Sequence, residues 1–219
     1  MLFLSYHNRL IIWVYKNKKR FEYSDFFSWK RDYNKRYHLY EFIKEKFDFE
    51  DADLLYLEFG VANGESFNWW TKNLKSNNTF FVGFDTFEGL PENWGAFYEK
   101  GDMRAKVPIF NDSRVLFKKG LFQDTLPKFI NEQNSQLSSR RKIIHLDADL
   151  YSSTIFVLSQ LYPYLKSGDI VMFDEFNVPL HEFKAFSEFS QFSYLTFNPV
   201  GAVNNFYQVC FEIATKPMT

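Results

Sequence analysis

The chain has 219 residues, 46% of them hydrophobic and 24% charged, which excludes a disordered protein and one embedded wholly in a membrane, and suits one domain with an appendage. Its 26 Lys and Arg against 27 Asp and Glu give a net charge of −1, without the basic excess of a general nucleic-acid binder, so no nucleic-acid partner is expected. A single cysteine, Cys210, excludes an internal disulfide framework and a cysteine-rich zinc site, and together with the lack of a signal-peptide pattern it favours a cytoplasmic protein.

Residues 1–15 are apolar and a basic run, Lys16 to Arg20, follows them. The stretch is shorter than the roughly 18–20 residues of a membrane span and Arg9 interrupts it, so stable membrane insertion is not expected. A helix packed on its own domain or on a second subunit is favoured over a membrane-surface helix. That reading leaves room for a homodimer through this helix. Asp25 to Lys46 carries apolar residues at helical spacing (Tyr37, Tyr40, Phe42, Ile43) and predicts one or two helices ending near Asp48. Residues 1–50 are thus expected to form a helical N-terminal extension or lid, and residues 51–219 the main domain.

From Asp53 the pattern changes to short apolar runs separated by helical ones. Strands are predicted at 54–59, 79–84, 115–120, 142–146 and 169–173, with helices at about 66–74, 128–137, 153–165 and 181–192 between or after them. Two further runs, 194–197 and 206–213, follow without an intervening helix and predict an antiparallel hairpin. The fold class expected is α/β: a Rossmann-like, doubly wound, mostly parallel seven-stranded sheet with an antiparallel C-terminal hairpin and a helical N-terminal extension. Residues 86–111 form a long irregular segment with Phe87, Trp94, Phe97 and Tyr98, suited either to covering a ligand or to packing beneath a surface loop.

Four predicted strands end in an acid: Glu58, Asp85, Asp147 and Asp174. Ligands of such sheets sit beyond the carboxyl ends of the strands, and buried carboxylates need partners, so this edge is the candidate site. Gly60 and Gly64 follow Glu58 in a strand-turn-helix that is not the three-glycine dinucleotide fingerprint. Asp85 is placed to take ribose hydroxyls. An acid on each of the first two strands fits S-adenosylmethionine better than NAD, because Glu58 would attract an amino group and repel a pyrophosphate. A second set, Asp147, Asp149, Asp174 and Glu175, offers oxygen ligands for a hard cation such as Mg²⁺ or Ca²⁺. For Asp149, capping the following helix is the favoured alternative.

These motifs, Leu57–Ser66 (LEFGVANGES), Phe84–Glu92 (FDTFEGLPE), Gly120–Pro127 (GLFQDTLP), Ile144–Thr154 (IHLDADLYSST) and Gly168–Glu175 (GDIVMFDE), resemble those of the macrocin O-methyltransferase (TylF-like) family of class I S-adenosylmethionine-dependent methyltransferases. The resemblance covers about residues 55–176 and implies methylation of a sugar or glycan-linked hydroxyl with the use of Mg²⁺. It implies that Glu58, Gly60, Gly64 and Ser66 hold the methionine end, that Asp85 and Thr86 lie at the ribose, and that Gln123 and Asp124 lie near the adenine. Asp147, Asp174 and Glu175 would hold the metal. The layout is also similar to catechol O-methyltransferase, but Leu150 stands where that enzyme has a lysine base, and Glu175 stands where the family more often has Asp. Asp147 is the leading proton acceptor and His145 its rival, with a structural histidine the favoured reading of the latter. The alternatives are a same-fold methyltransferase of a phenol or lipid, and a cofactor-binding scaffold without activity.

Overall fold

The computed structural model describes residues 2–95 and 97–215. One mixed sheet of eight strands runs through it: β1 (Tyr23–Ser24), β2 (Leu54–Phe59), β3 (Phe80–Asp85), β4 (Val115–Lys119), β5 (Arg141–Leu146), β6 (Ile170–Phe173), β7 (Leu195–Val203) and β8 (Gln208–Thr215). Their spatial order is β1-β7-β8-β6-β5-β2-β3-β4. Strands β2 to β6 pair in parallel, and β8 enters antiparallel between β6 and β7. The strand order reverses between β2 and β5, where Glu58 faces His145 across the ladder. A crevice opens at such a reversal because the two neighbouring crossovers leave on opposite faces.

The helices are α1 (Leu2–Asn17), α2 (Lys35–Lys46), α3 (Glu65–Asn73), α4 (Phe122–Glu132), α5 (Asn134–Ser139), α6 (Tyr151–Leu161) and α7 (Glu182–Phe192). Strand β2 is buried along its whole length, and side-chain alternation divides it between two cores. Leu55, Leu57 and Phe59 face the layer built by α1 and α4–α7, and Leu54 and Tyr56 face α2 and α3. Aromatic residues make up 21% of the chain and supply many of the side chains of the first core. Trp13 of α1 lies within 5.0–6.2 Å, ring to ring, of Phe21, Phe176, Phe183, Phe186, Phe206 and Phe211. Each such buried ring removes 150–250 Å² from water, on the order of several kcal/mol of burial.

The sheet has one strand more than expected. Tyr23 and Ser24 pair in parallel with Gly201 and Ala202 of β7, so the segment before residue 50 contributes to the sheet as well as to its covering layers. Gly201 leaves room there for α2: a Cβ would lie 2.3 Å from Leu39 Cδ1, and that side chain would have to shift. Residues 25–34, expected within a helix, form none; the helix begins only at Lys35. The helix expected at 128–137 begins six residues earlier, as α4, and breaks before α5. Among the described residues no helix is long and apolar enough to cross a membrane.

Candidate active site

At the carboxyl edge of the sheet lies a cavity of about 610 Å³, within the range of small-molecule sites. One half of its wall comes from β2 and β3. Gly60 follows β2 with φ +94°, and a Cβ there would sit 1.7 Å from the Asp147 carbonyl oxygen, so only glycine lets the turn close against β5. Asp85 at the tip of β3 accepts hydrogen bonds from the backbone N–H of Val61 and Ala62 at 2.8 Å each and from that of Phe87 at 2.7 Å. A carboxylate has about four lone-pair sites, so Asp85 fixes the glycine turn and keeps capacity for a ligand hydroxyl. Thr86, Leu121, Phe122 and Gln123 continue this wall. Asp124 is exposed on the first turn of α4, away from the wall.

Glu58, Gly64 and Ser66 lie behind the wall rather than on it. Glu58 is fully buried; Tyr56 donates its hydroxyl to Oε2, and Oε1 has no hydrogen-bond partner among the described residues. His145 sits beside them with Nδ1 3.0 Å from the Tyr56 hydroxyl and 3.4 Å from Glu58 Oε2. Its Nε2 is 3.5 Å from the Tyr40 hydroxyl and 4.0 Å from Asp174 Oδ1. His145 is therefore a buried residue beneath the cavity floor, with both ring nitrogens facing polar groups of the protein.

The other half of the wall is acidic. One carboxylate oxygen each from Asp147, Asp149 and Glu175 lies within 4.8 Å of the others. Asp174 lines the same cavity, with Oδ2 3.4 Å from Gln208 Nε2. Fully buried Glu182, on the first turn of α7, accepts a 2.9 Å hydrogen bond from the Glu175 backbone N–H through Oε2, while its Oε1 has no partner among the described residues. Tyr207 donates its hydroxyl to Glu175 Oε1 at 3.1 Å, and the Arg31 guanidinium covers the Tyr207 ring at 3.4 Å. Burial first, and the neighbouring acids second, hold the carboxyls of Asp147, Glu175 and Glu182 well above the usual range. The same causes push Asp149 up to about 7. Helix α6 is capped by Leu150, with no side-chain cap, so Asp149 belongs to the acid cluster and does not cap the helix.

The segment 86–111 divides its aromatic residues. Phe87 is buried against Phe117, while Trp94, Phe97 and Tyr98 face the cavity, with Trp94 and Tyr98 stacked at 5.0 Å. His181 stands edge-on to Trp94, its Nδ1 has no partner among the described residues, and burial lowers its pKa. Glu182, His181, Tyr207 and Arg31 were not singled out by the sequence. An acid at the start of a helix ordinarily complements the helix dipole in water, so nothing local marks Glu182 as buried.

Residues 106–208, close to half of the chain, match the family model of the macrocin O-methyltransferases (TylF). Over that stretch the chain is similar to that family. It is 37% identical over 114 residues, 43% of its length, to 8-demethyl-8-(2,3-dimethoxy-alpha-L-rhamnosyl)-tetracenomycin-C 4'-O-methyltransferase of Streptomyces olivaceus. It is 31% identical over 78 residues, 33% of its length, to mycinamicin III 3''-O-methyltransferase of Micromonospora griseorubida. The matched stretches span 41% and 28% of those two relatives, so well under two thirds of each. The chain shares its fold with the calicheamicin methyltransferase CalS11 at a TM-score of 0.65 and 20% identity, covering 84% of this chain and 80% of that one. It shares it also with the O-methyltransferase NovP at 0.60 and 20%, covering 82% and 80%.

Proposed function

We propose that the chain transfers a methyl group from S-adenosylmethionine to a hydroxyl of a sugar or glycan-linked substrate, assisted by a divalent cation. The observation that carries this reading is the acid cluster of Asp147, Asp149 and Glu175 at the mouth of a glycine-turned crevice. Like charges kept together at a cost to stability fit a site completed by a cation. Both curated relatives are named as O-methyltransferases, and the name of the Streptomyces olivaceus one includes a rhamnosyl acceptor, which supports the acceptor class.

In this reading Gly60, Ala62 and Asp85 line the ribose side, and Leu121, Phe122 and Gln123 offer a flat edge to the adenine. Glu58, with one buried oxygen free of protein partners, supplies negative charge near the methionine amino group. Asp147 and Glu175, with Asp149 and Asp174 beside them, would hold Mg²⁺; the all-oxygen donor set suits it. Such an ion, when bound, lowers the pKa of a coordinated hydroxyl and fixes its orientation. A carboxylate oxygen of Asp147 or Asp149, both on the cavity wall, would receive the hydroxyl proton. Tyr207 and Glu182 set the direction of Glu175. His145 positions Tyr56 and Glu58 from below. Trp94 and Tyr98 close over the acceptor, excluding water. The buried single cysteine suits a reducing compartment.

The test pairs binding with turnover. S-adenosylmethionine titrated by calorimetry should bind, and a panel of sugars and nucleotide sugars with Mg²⁺ should yield a product heavier by one methylene by mass spectrometry. Cofactor binding without methylation of any sugar, with methylation of a phenol or lipid instead, would move the acceptor class. No cofactor binding would overturn the reading.

A further inference from the structure

Helix α1 is apolar on two sides. Its inner stripe, Tyr6, Leu10, Trp13 and Val14, packs on the aromatic core. The opposite side carries Leu4, Ile11, Ile12 and Tyr15, between 53% and 75% exposed. Packing on its own domain therefore accounts for only one face of the helix. The outer face continues into the loop after β1. Lys18 Nζ lies 5.3 Å from the Tyr15 ring centre and 5.5 Å from that of Phe26, so the end of α1 and this loop form one surface. Beyond Phe26 stand Phe27, 61% exposed, and Trp29, 94% exposed, with their rings 5.1 Å apart. Hydrogen bonds between Ser28 and Asn205, in both directions at 2.8 Å, hold the loop in place.

Charge separates the possible occupants of this surface. Residues 1–21 contain Arg9, Lys16, Lys18, Lys19 and Arg20 and no acid, which leaves a net −6 on the rest of the chain. Two such helices would repel each other across a pairing interface. An anionic surface would attract both the helix and the basic run that ends it. Exposed aliphatic residues flanked by Lys and Arg, with Trp and Phe at the margin, are the composition of a helix that lies in the headgroup layer. We propose that α1 and the loop through Trp29 adsorb to an anionic lipid bilayer without crossing it. The surface adjoins the cavity: Arg31, two residues past Trp29, lines the cavity, so adsorption would present the site's mouth near the headgroups. The proposal does not depend on the methyl-transfer reading.

The experiment is co-sedimentation of the full chain with vesicles of phosphatidylcholine alone and of phosphatidylcholine with phosphatidylglycerol. Binding to the anionic vesicles should exceed binding to the neutral ones by tenfold or more and fall as salt rises. Changing Lys16, Lys18 and Lys19 to Gln should weaken it by roughly fivefold per charge. Ile11→Glu should weaken it by about tenfold, an estimate from lost apolar burial and added repulsion. Trp29→Ala should act in the same direction from a loop whose fold does not rest on that side chain. Melting temperature and S-adenosylmethionine affinity should stay those of the parent chain. Equal weak binding to both vesicle types would overturn the proposal. So would a dimer in sedimentation velocity that Ile11→Glu dissolves while no vesicle binding is seen, which would assign the face to a second copy.

Discussion

The two edges of the sheet handle buried charge in opposite ways. At the amino edge, Lys142 and Asp169 are both fully buried, 2.9 Å apart. Lys142 Nζ also donates to the carbonyls of Leu137 and Arg140 at 3.0 and 3.1 Å, and Asp169 accepts from the backbone N–H of Lys142 and Lys166. At the carboxyl edge, Glu58, Asp174, Glu175 and Glu182 each keep a buried oxygen with no hydrogen-bond partner among the described residues. Neighbouring acids add to burial in raising Glu175 and Glu182, although Arg36 on the same cavity wall acts on Asp174. The first arrangement is complete as protein. The second becomes complete only with something brought from outside. A site can be recognised by that incompleteness, since folding alone favours the first arrangement.

Substitutions at the two edges should separate activity from stability. Asp147→Asn should lower methyl transfer by about 10³-fold or more, within the range of lost acid–base and charge stabilisation. Its melting temperature should be unchanged or raised, because a repelled charge has gone. A fall in melting temperature would place Asp147 among structural acids. Lys142→Ala should do the reverse. It strands buried Asp169 and should cost about 3–5 kcal/mol in denaturant unfolding, while S-adenosylmethionine still binds to the folded fraction.

The pH dependence of stability sharpens the same contrast. The carboxyls at the carboxyl edge titrate higher folded than unfolded, and Asp149 does so near 7. The folded chain then holds more protons than the unfolded chain between the ordinary carboxylate value near 4 and about 7. These groups therefore favour folding most at the acid end of that window, and their contribution is lost as pH rises through it. With a chelator present, stability from pH 5 to 7 should fall by roughly 1.4 kcal/mol per pH unit for each such proton. Mg²⁺ should flatten the slope, and a flat profile in chelator would contradict the mutual repulsion. The smallest effect is expected at Trp94→Ala, which should raise the acceptor KM severalfold and leave cofactor affinity as it was.

The fold was largely legible because strands β2, β5 and β6 are short, mainly apolar runs followed at once by glycine or an acid. The acids at their tips were legible for the same reason: position along a strand fixes position at the edge. The two-residue strand β1 has no periodicity to read, and it exists only because β7 offers it an edge. Helix α4 begins earlier than expected, with Pro127 inside it, because burial of Leu126, Phe129 and Ile130 holds the helix on both sides of the proline. Glu182 escaped, and Asp149 was weighed toward capping, for a different reason. Each occupies a place near a helix start that local rules assign to capping or to the helix dipole, whereas the fold sets Asp149 beside Asp147 and Glu175 and holds Glu182 to the Glu175 backbone.

The account stands on the acid cluster being a cation site, and calorimetric titration of Mg²⁺ into the chain at pH 7.5, in the presence of S-adenosylmethionine, tests it directly. One site per chain is predicted for the parent, lost in Asp147→Asn and in Glu175→Gln. Absence of binding to the parent, or binding of equal strength to all three, would contradict it.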